Sequence, residues 1–503
     1  MLLKTRYFFI LSIIVFVCSC SKGNYRTNQN SLINSYANKN YQEVEKKVLN
    51  EDFLKGNENV LLKSLEVGNA YYNNGKYCSA IEAFNKSTSI IEEQQTKSIG
   101  KAISSNLGAG DDVFYGETYE KSLVNFYKSL INYEIFARGF CEYENKESKQ
   151  LLTKTLTNQE RINYLMSAKA NVLYWDSWMN GKYIDDYDKL YYKDLLIKLW
   201  GAFIHEQIGD KENLQIAKQL YIDAKDIAVN RYAVYRAFNK NNISFVNNLK
   251  DEVKRKSFID LNNLYVRDIV EYCDRQLERL KQGQSANLAI VIQDGQITNK
   301  KVVVKRVPVL SLLGLASGNI YKLILALSLD RATYELPTMS SKTPDYRYFY
   351  ELRKDNNVVI RKPIVLSEPI SDISYMNLYE KFEKIKSEII SSVTAKYLAL
   401  LTPIAITYAI SSNSNNSYVK LAGLATAVAA YKAGEYGITK SGLVDIRQWV
   451  GLPSNIFMVS DNVEHGEYEL NIIKQSNLTL QEQIVYKNNV NIGETVSFFD
   501  LKL

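Results

Sequence analysis

Apolar residues recur every three or four positions through the first half of this chain and mostly every second position later, so the pattern predicts helices followed by strands. Leu32 to Leu49, with Tyr36, Tyr41 and Val44, predicts a pair of helices, and Leu123, Phe126, Tyr127, Leu130, Ile131 and Tyr133 predict a buried face along Tyr119 to Phe140. Leu199, Ala202 and Phe203 line another helix, Gly209-Asp210 turns, and Ala217, Tyr221 and Ala224 line the next. Around Gly283 to Ala286 the character changes. Leu288 to Asp294 predicts a strand, and Asp294-Gly295 gives a tight hairpin signal answered by Lys301 to Val307. Further strands are expected at Ala332 to Met339, at Tyr346 to Leu352 and Asn357 to Leu366 joined through Asp355-Asn356, and at Ile456 to Val459, Tyr468 to Ile473, Gln483 to Tyr486 and Thr495 to Leu501. Between these, Met376 to Tyr397 is an amphipathic helix. It leads into two strongly apolar stretches, Tyr397 to Ile410 and Leu421 to Ala430, parted by the polar run Ser411 to Ser417. Each is shorter than a bilayer span, so a buried helical hairpin is expected; an exposed apolar patch there would favour a membrane- or partner-binding one.

Residues Val67 to Ser87 read VGNAYYNNGKYCSAIEAFNKS and resemble a tetratricopeptide repeat in six registered positions: Gly68, Tyr71, Gly75, Ala80, Phe84 and Ser87. Leu195 to Ala228 resembles a degenerate second unit. One such unit cannot bury its own face, so at least three are expected to stack. On the resemblance, Leu65, Asn69, Tyr72 and Asn73 would line a concave groove, with the Asn69 amide placed to bond a peptide backbone.

At the start, Lys4 and Arg6 precede an apolar run from Tyr7 to Val17 that ends in Val17-Cys18-Ser19-Cys20. This resembles a bacterial lipoprotein signal, which implies cleavage before Cys20 and acylation of that residue. At roughly 0.8 kcal/mol per buried methylene, several acyl chains make a practically permanent anchor. Ser21 stands where inner-membrane lipoproteins usually carry Asp, so the resemblance implies the outer membrane and a periplasm-facing body. The expected organisation is a signal at 1–19, a lipidated tether at 20–30, a tetratricopeptide-like helical domain at 31–282 and a β-rich domain at 283–503 with a helical insertion near 376–435. The expected fold class is therefore multidomain α + β, an α-helical solenoid followed by a mostly antiparallel sheet.

With 503 residues, 46% of them hydrophobic and 23% charged, the chain exceeds one ordinary core. Its formal charge of +7 drops to +5 when Lys4 and Arg6 leave with the signal, too mild an excess to imply nucleic acid. His205 and His465 are the only histidines, which weighs against triads and His-rich metal sites. No metal or other cofactor is expected. His205 reads as a partly buried core ring and His465 as a solvated turn residue. Beyond Cys20, the thiols Cys78, Cys141 and Cys273 allow one disulfide with one thiol free, or three buried thiols.

The tyrosine-rich helix at Tyr119 to Tyr133, the IxDGxxxxK-like stretch at Ile292 to Lys300 and the DxRxWxxLP run at Asp445, Arg447, Trp449, Leu452 and Pro453 together resemble a family of Gram-negative outer-membrane lipoproteins. Its members join a repeat-bearing helical half to a β-rich half. That resemblance implies no chemistry, only a link with cell-wall or outer-membrane upkeep. Asp445, Arg447 and Trp449 read as a structural motif in which acid and base orient one another. The function expected is a non-enzymatic scaffold for an envelope protein or peptide, attached to the membrane through Cys20. The alternatives are an envelope hydrolase with a two-carboxylate site in the β-rich half, and a structural subunit of a lipoprotein assembly joined by its apolar hairpin.

Overall fold

The computed structural model describes residues 22–98, 113–144, 150–180, 190–239, 263–308, 331–441 and 444–503; Cys20 and the expected signal lie outside them. The protein is mixed α + β. Helices α1 (Lys22–Ala37), α2 (Tyr41–Val48), α3 (Val60–Asn73), α4 (Tyr77–Ser98) and α5 (Thr118–Arg138) are followed by a small hairpin of β1 (Phe140–Glu144) and β2 (Leu151–Thr155). Then come α6 (Asn158–Asn180), α7 (Leu195–Ile208), α8 (Lys211–Asn230) and α9 (Leu264–Lys281).

Local chemistry sets the helix ends. Gly75, at φ +74°, makes the turn between α3 and α4, and Gly68 lets the two helices close: a Cβ there would lie 2.8 Å from the Phe84 ring. Asp194 starts α7 by accepting the Ile197 N–H at 3.2 Å, and Asp210 starts α8 by accepting that of Asn213 at 2.8 Å. Gly139 and Gly209 close α5 and α7 in the left-handed conformation.

The main sheet has the order β10-β9-β6-β7-β8-β3-β11, from β3 (Leu288–Asp294), β6 (Tyr346–Lys354), β7 (Asn357–Glu368), β8 (Asn455–Asp461), β9 (Gly466–Ser476), β10 (Glu482–Ile492) and β11 (Ser497–Lys502). Every pairing is antiparallel except β11 with β3. The sheet curls until its ends meet, where the Ser497 hydroxyl donates to Asn491 O at 3.2 Å. Asp355 and Asn356 both have positive φ, as the tight turn between β6 and β7 requires.

One expected hairpin is not made. β4 (Lys301–Pro308) pairs with β5 (Arg331–Thr338) in a separate two-stranded sheet and not with β3. The reason lies in the side chains: β3 is buried at all seven positions between β8 and β11, whereas β4 carries Lys301, Lys305 and Arg306 and is largely exposed.

The expected amphipathic helix and the first apolar stretch form one helix, α10 (Ile370–Ser412), which runs unbroken through Pro403 and returns as α11 (Ser417–Ser441). Two cores result. The larger runs from Leu32 through the helices and main sheet to Ile492, so helical and β parts share one interior; the smaller joins Tyr334 and Leu336 of β5 to Ile385, Val393 and Leu401 of α10. β1 and β2 were not expected, since every side chain of β2 is exposed and gives no alternation.

Cys78 on α4 and Cys141 on β1 form a disulfide, and Cys273 is a buried thiol. The bond closes a loop across a separation of 63 residues, for which chain entropy gives a stabilisation of at most about 4 kcal/mol. The Cys78→Ser/Cys141→Ser variant is expected to unfold at clearly lower denaturant than the oxidised wild type. An unchanged midpoint would refute a stabilising role.

Candidate functional site

The residues expected to line an open groove on α3 are covered by the chain's own later parts, the 447–452 segment and strand β11 among them. Leu65, Asn69 and Tyr72 are buried and Asn73 is half-buried. The Asn69 amide donates to Gly451 O at 2.6 Å and to the Tyr36 hydroxyl at 3.3 Å. Thus Asn69 bonds a backbone carbonyl as expected, but an internal one. Asn73 donates back to Asn69 O at 2.8 Å. The Tyr72 hydroxyl donates to Asp500 and accepts from Gln293, with the Lys502 ammonium 3.8 Å over its ring. The open groove is therefore corrected to a filled one.

Two carboxylates that the sequence reading passed over complete the seam. Glu66 on α3 accepts the Val450 N–H at 2.7 Å and the Tyr36 hydroxyl at 3.1 Å. Glu120 on α5 accepts the Trp449 N–H at 2.7 Å with one oxygen and the Glu117 N–H at 2.7 Å with the other. Burial pushes Glu66 up to about 8 and Glu120 up to about 7, in each case opposed by the backbone donors. Burial also works against the charge on Glu117, yet Lys300 at 2.7 Å and Lys381 at 3.0 Å outweigh it and hold that carboxyl well below its ordinary value. The only sequence trace of these roles is an acid inside an otherwise apolar helix face.

The Asp445, Arg447 and Trp449 motif is structural in its contacts. Arg447 pairs with Asp445 through Nε and Nη2 at 2.9 and 2.6 Å, and its Nη1 donates to Glu58 O at 3.2 Å and Asn59 Oδ1 at 3.0 Å. Trp449 is fully buried, with Phe84 and Tyr127 at 5.8 and 5.6 Å between ring centres. Gln448 reaches Thr298 O at 3.2 Å and the Ser374 hydroxyl at 3.3 Å.

A carboxylate pair does occur between the two parts. Asp194 and Glu368 are both buried and share the Tyr191 hydroxyl at 2.9 and 3.1 Å; Tyr232 donates to Glu368 at 2.9 Å. Burial, then the facing carboxylate, raises Glu368 well above its usual range. This pair caps α7 and ends β7 beneath the surface. His205 is fully buried, with Nδ1 2.6 Å from Asn213 Oδ1, and His465 is exposed. No group of three metal-binding side chains occurs among the described residues.

The hairpin departs from expectation. Its inner face is packed, with Tyr397, Leu401 and Ala427 buried, but its distal outer face is open: Ile406 is 54% exposed, Ile410 71%, Tyr418 84% and Leu421 67%.

Two substitutions probe the seam. Glu66→Gln keeps an acceptor for Val450 and removes the charge. Because the fold raises this carboxyl from 4.5 to about 8, wild-type stability is fully present at low pH and declines as pH rises through that window. The variant should therefore gain on wild type between pH 5 and pH 8.5, by about 2 °C or more in Tm. An equal Tm difference at both values would refute the assignment. Gly451→Ala would drive a Cβ into Asn69 and the Tyr36 hydroxyl, with an expected cost of about 1–3 kcal/mol by denaturant melt.

No protein-family model, curated protein or solved structure matches this chain.

Proposed function

We propose that the protein is an outer-membrane lipoprotein, held by acyl chains on Cys20 and facing the periplasm, and that its body is a non-catalytic scaffold serving envelope or peptidoglycan upkeep. The observation that carries this reading is a contrast in how the polar and apolar groups are used. The backbone-binding side chains Asn69, Glu66 and Glu120 are spent on the chain's own 449–451 stretch. Among the described residues the hairpin carries the largest run of open apolar side chains, Leu398, Ile406, Ile410, Tyr418, Val419 and Leu421 among them, while others lie scattered over the helices and strands. A surface of that kind serves docking and not bond-making.

In this reading α3–α4 and α7–α8 are tetratricopeptide-like units of a short solenoid, and the chain's own C-terminal half takes the place of a bound peptide. The Cys78–Cys141 disulfide suits an oxidising compartment such as the periplasm. The partner is expected to meet the body beside the membrane, because only five residues separate Cys20 from Arg26, which pairs with Glu335 at 2.6 Å.

Metabolic labelling with an alkyne fatty acid tests the anchor. Wild-type protein should carry the label and sediment with outer membranes, and Cys20→Ala should carry none. Label persisting in that variant would overturn the assignment.

A further inference from the structure

Charge is missing from the distal hairpin over a membrane-scale length. From Tyr397 to Val419 no residue is ionisable to a charged form near neutral pH, and Lys420 is the sole exception before Lys432. The uncharged end of α10, residues 397–412, is about 24 Å long at 1.5 Å per residue. On α11 the exposed tyrosines Tyr418 and Tyr436 stand about 27 Å apart by the same rise. A bilayer's hydrocarbon core is about 30 Å thick, and the apolar band of outer-membrane barrels is about 25 Å tall.

The hydroxyls fit the same medium. Thr402 donates to Leu398 O at 2.7 Å, Thr407 to Pro403 O at 2.9 Å, Ser411 to Tyr408 O at 2.9 Å and Thr426 to Ala422 O at 2.8 Å. Polar side chains bonded back to their own helix carry no donor into an apolar surrounding. Nor is the outer face needed to close the hairpin: Gly423 seats Ser411 and Gly434 seats Leu400 on the inner side. Within α10, an 18-residue window reaches a mean hydropathy of 1.6 and is only one-third buried.

The base of the hairpin also meets Arg26, within the expected tether. Arg26 binds Glu335 of β5, which packs against α10, and the carbonyl of Val444, just past the end of α11. Six chain steps reach at most about 20 Å, so an acyl group on Cys20 would lie within that distance of Arg26. From length, charge, hydroxyl bonding and this shared pole we infer that residues 397–436 insert into the lipid bilayer, with Lys432 and Tyr436 at the near interface and the polar Asn413 to Asn416 turn leading. The shared pole rests on the lipidation proposed above; the other three arguments do not.

Flotation tests this without the acyl chain. The Cys20→Ala chain, freed of residues 1–19, is mixed with phosphatidylethanolamine–phosphatidylglycerol vesicles and spun through a density gradient. It should float with the vesicles. Ile406→Asp/Leu421→Asp, at exposed positions that leave the fold intact by circular dichroism, should bind at least tenfold less. Val304→Asp, at an equally exposed valine on β4, should float like its parent. A chain that stays at the bottom of the gradient overturns insertion, as does equal flotation of all three. So does a dimer in light scattering that the double variant dissolves while vesicles remain unbound, which would make a second copy the occupant. Since no lipidated cysteine is used, failure of the acyl anchor and failure of insertion give different results.

Discussion

Two buried carboxylates receiving main-chain N–H groups hold this molecule in one piece. Glu66 and Glu120 project from helices in the first quarter of the chain, and their acceptors meet Val450 and Trp449, which lie more than 320 residues away in sequence. A buried acceptor left without a donor costs roughly 1–3 kcal/mol, so each helix is incomplete until the distant segment arrives. Trp449 adds the apolar counterpart by filling the space against Phe84 and Tyr127. Gly451 is required at the tightest point because Asn69 and Tyr36 approach its backbone where a side chain would stand.

That arrangement explains why the helical and β parts share a single interior. A helical stack with an unfilled inner face would expose apolar surface, which repeat proteins normally cover with a cap or a ligand. Here the coverage is internal and comes late in the chain. The C-terminal strand β11 contributes in the same way, since Asp500 and Lys502 both engage Tyr72. Loop-closure entropy grows only slowly with length, so contacts this remote cost little stability, although non-local pairing slows folding.

Periodicity made most elements legible. The run of β3, the Asp355-Asn356 turn and the Gly68–Phe84 approach follow from local patterns that tertiary packing did not override. Pairing was less legible, because the Asp294-Gly295 turn signal says nothing about which neighbour can cover a strand buried on all its positions. The site was half legible. Asn69 reads as a backbone binder from its place in the repeat-like pattern, but sequence cannot tell an external peptide from residue 451 of the same chain. Glu66 and Glu120 were hidden because an acid in a helix reads as a solvated face unless its burial is known. The hairpin misled in the opposite sense: uncharged helices read as buried, and here their outer face is exposed.

The long helix turns these observations into a single mechanical arrangement. Its first turn belongs to the seam: Ser371 N–H donates to Ser454 O at 3.0 Å, and the Ser374 hydroxyl lies 2.9 Å from that of Tyr119. Its far end is the apolar tip. With 43 residues and no break, α10 extends about 64 Å, so a displacement at the tip is transmitted to the contacts around Tyr119 and Gln448 without an intervening hinge. A flexible linker would leave a membrane-bound hairpin and its body independent of one another. An unbroken helix rooted beside Trp449 instead fixes the orientation of the body to whatever holds the tip.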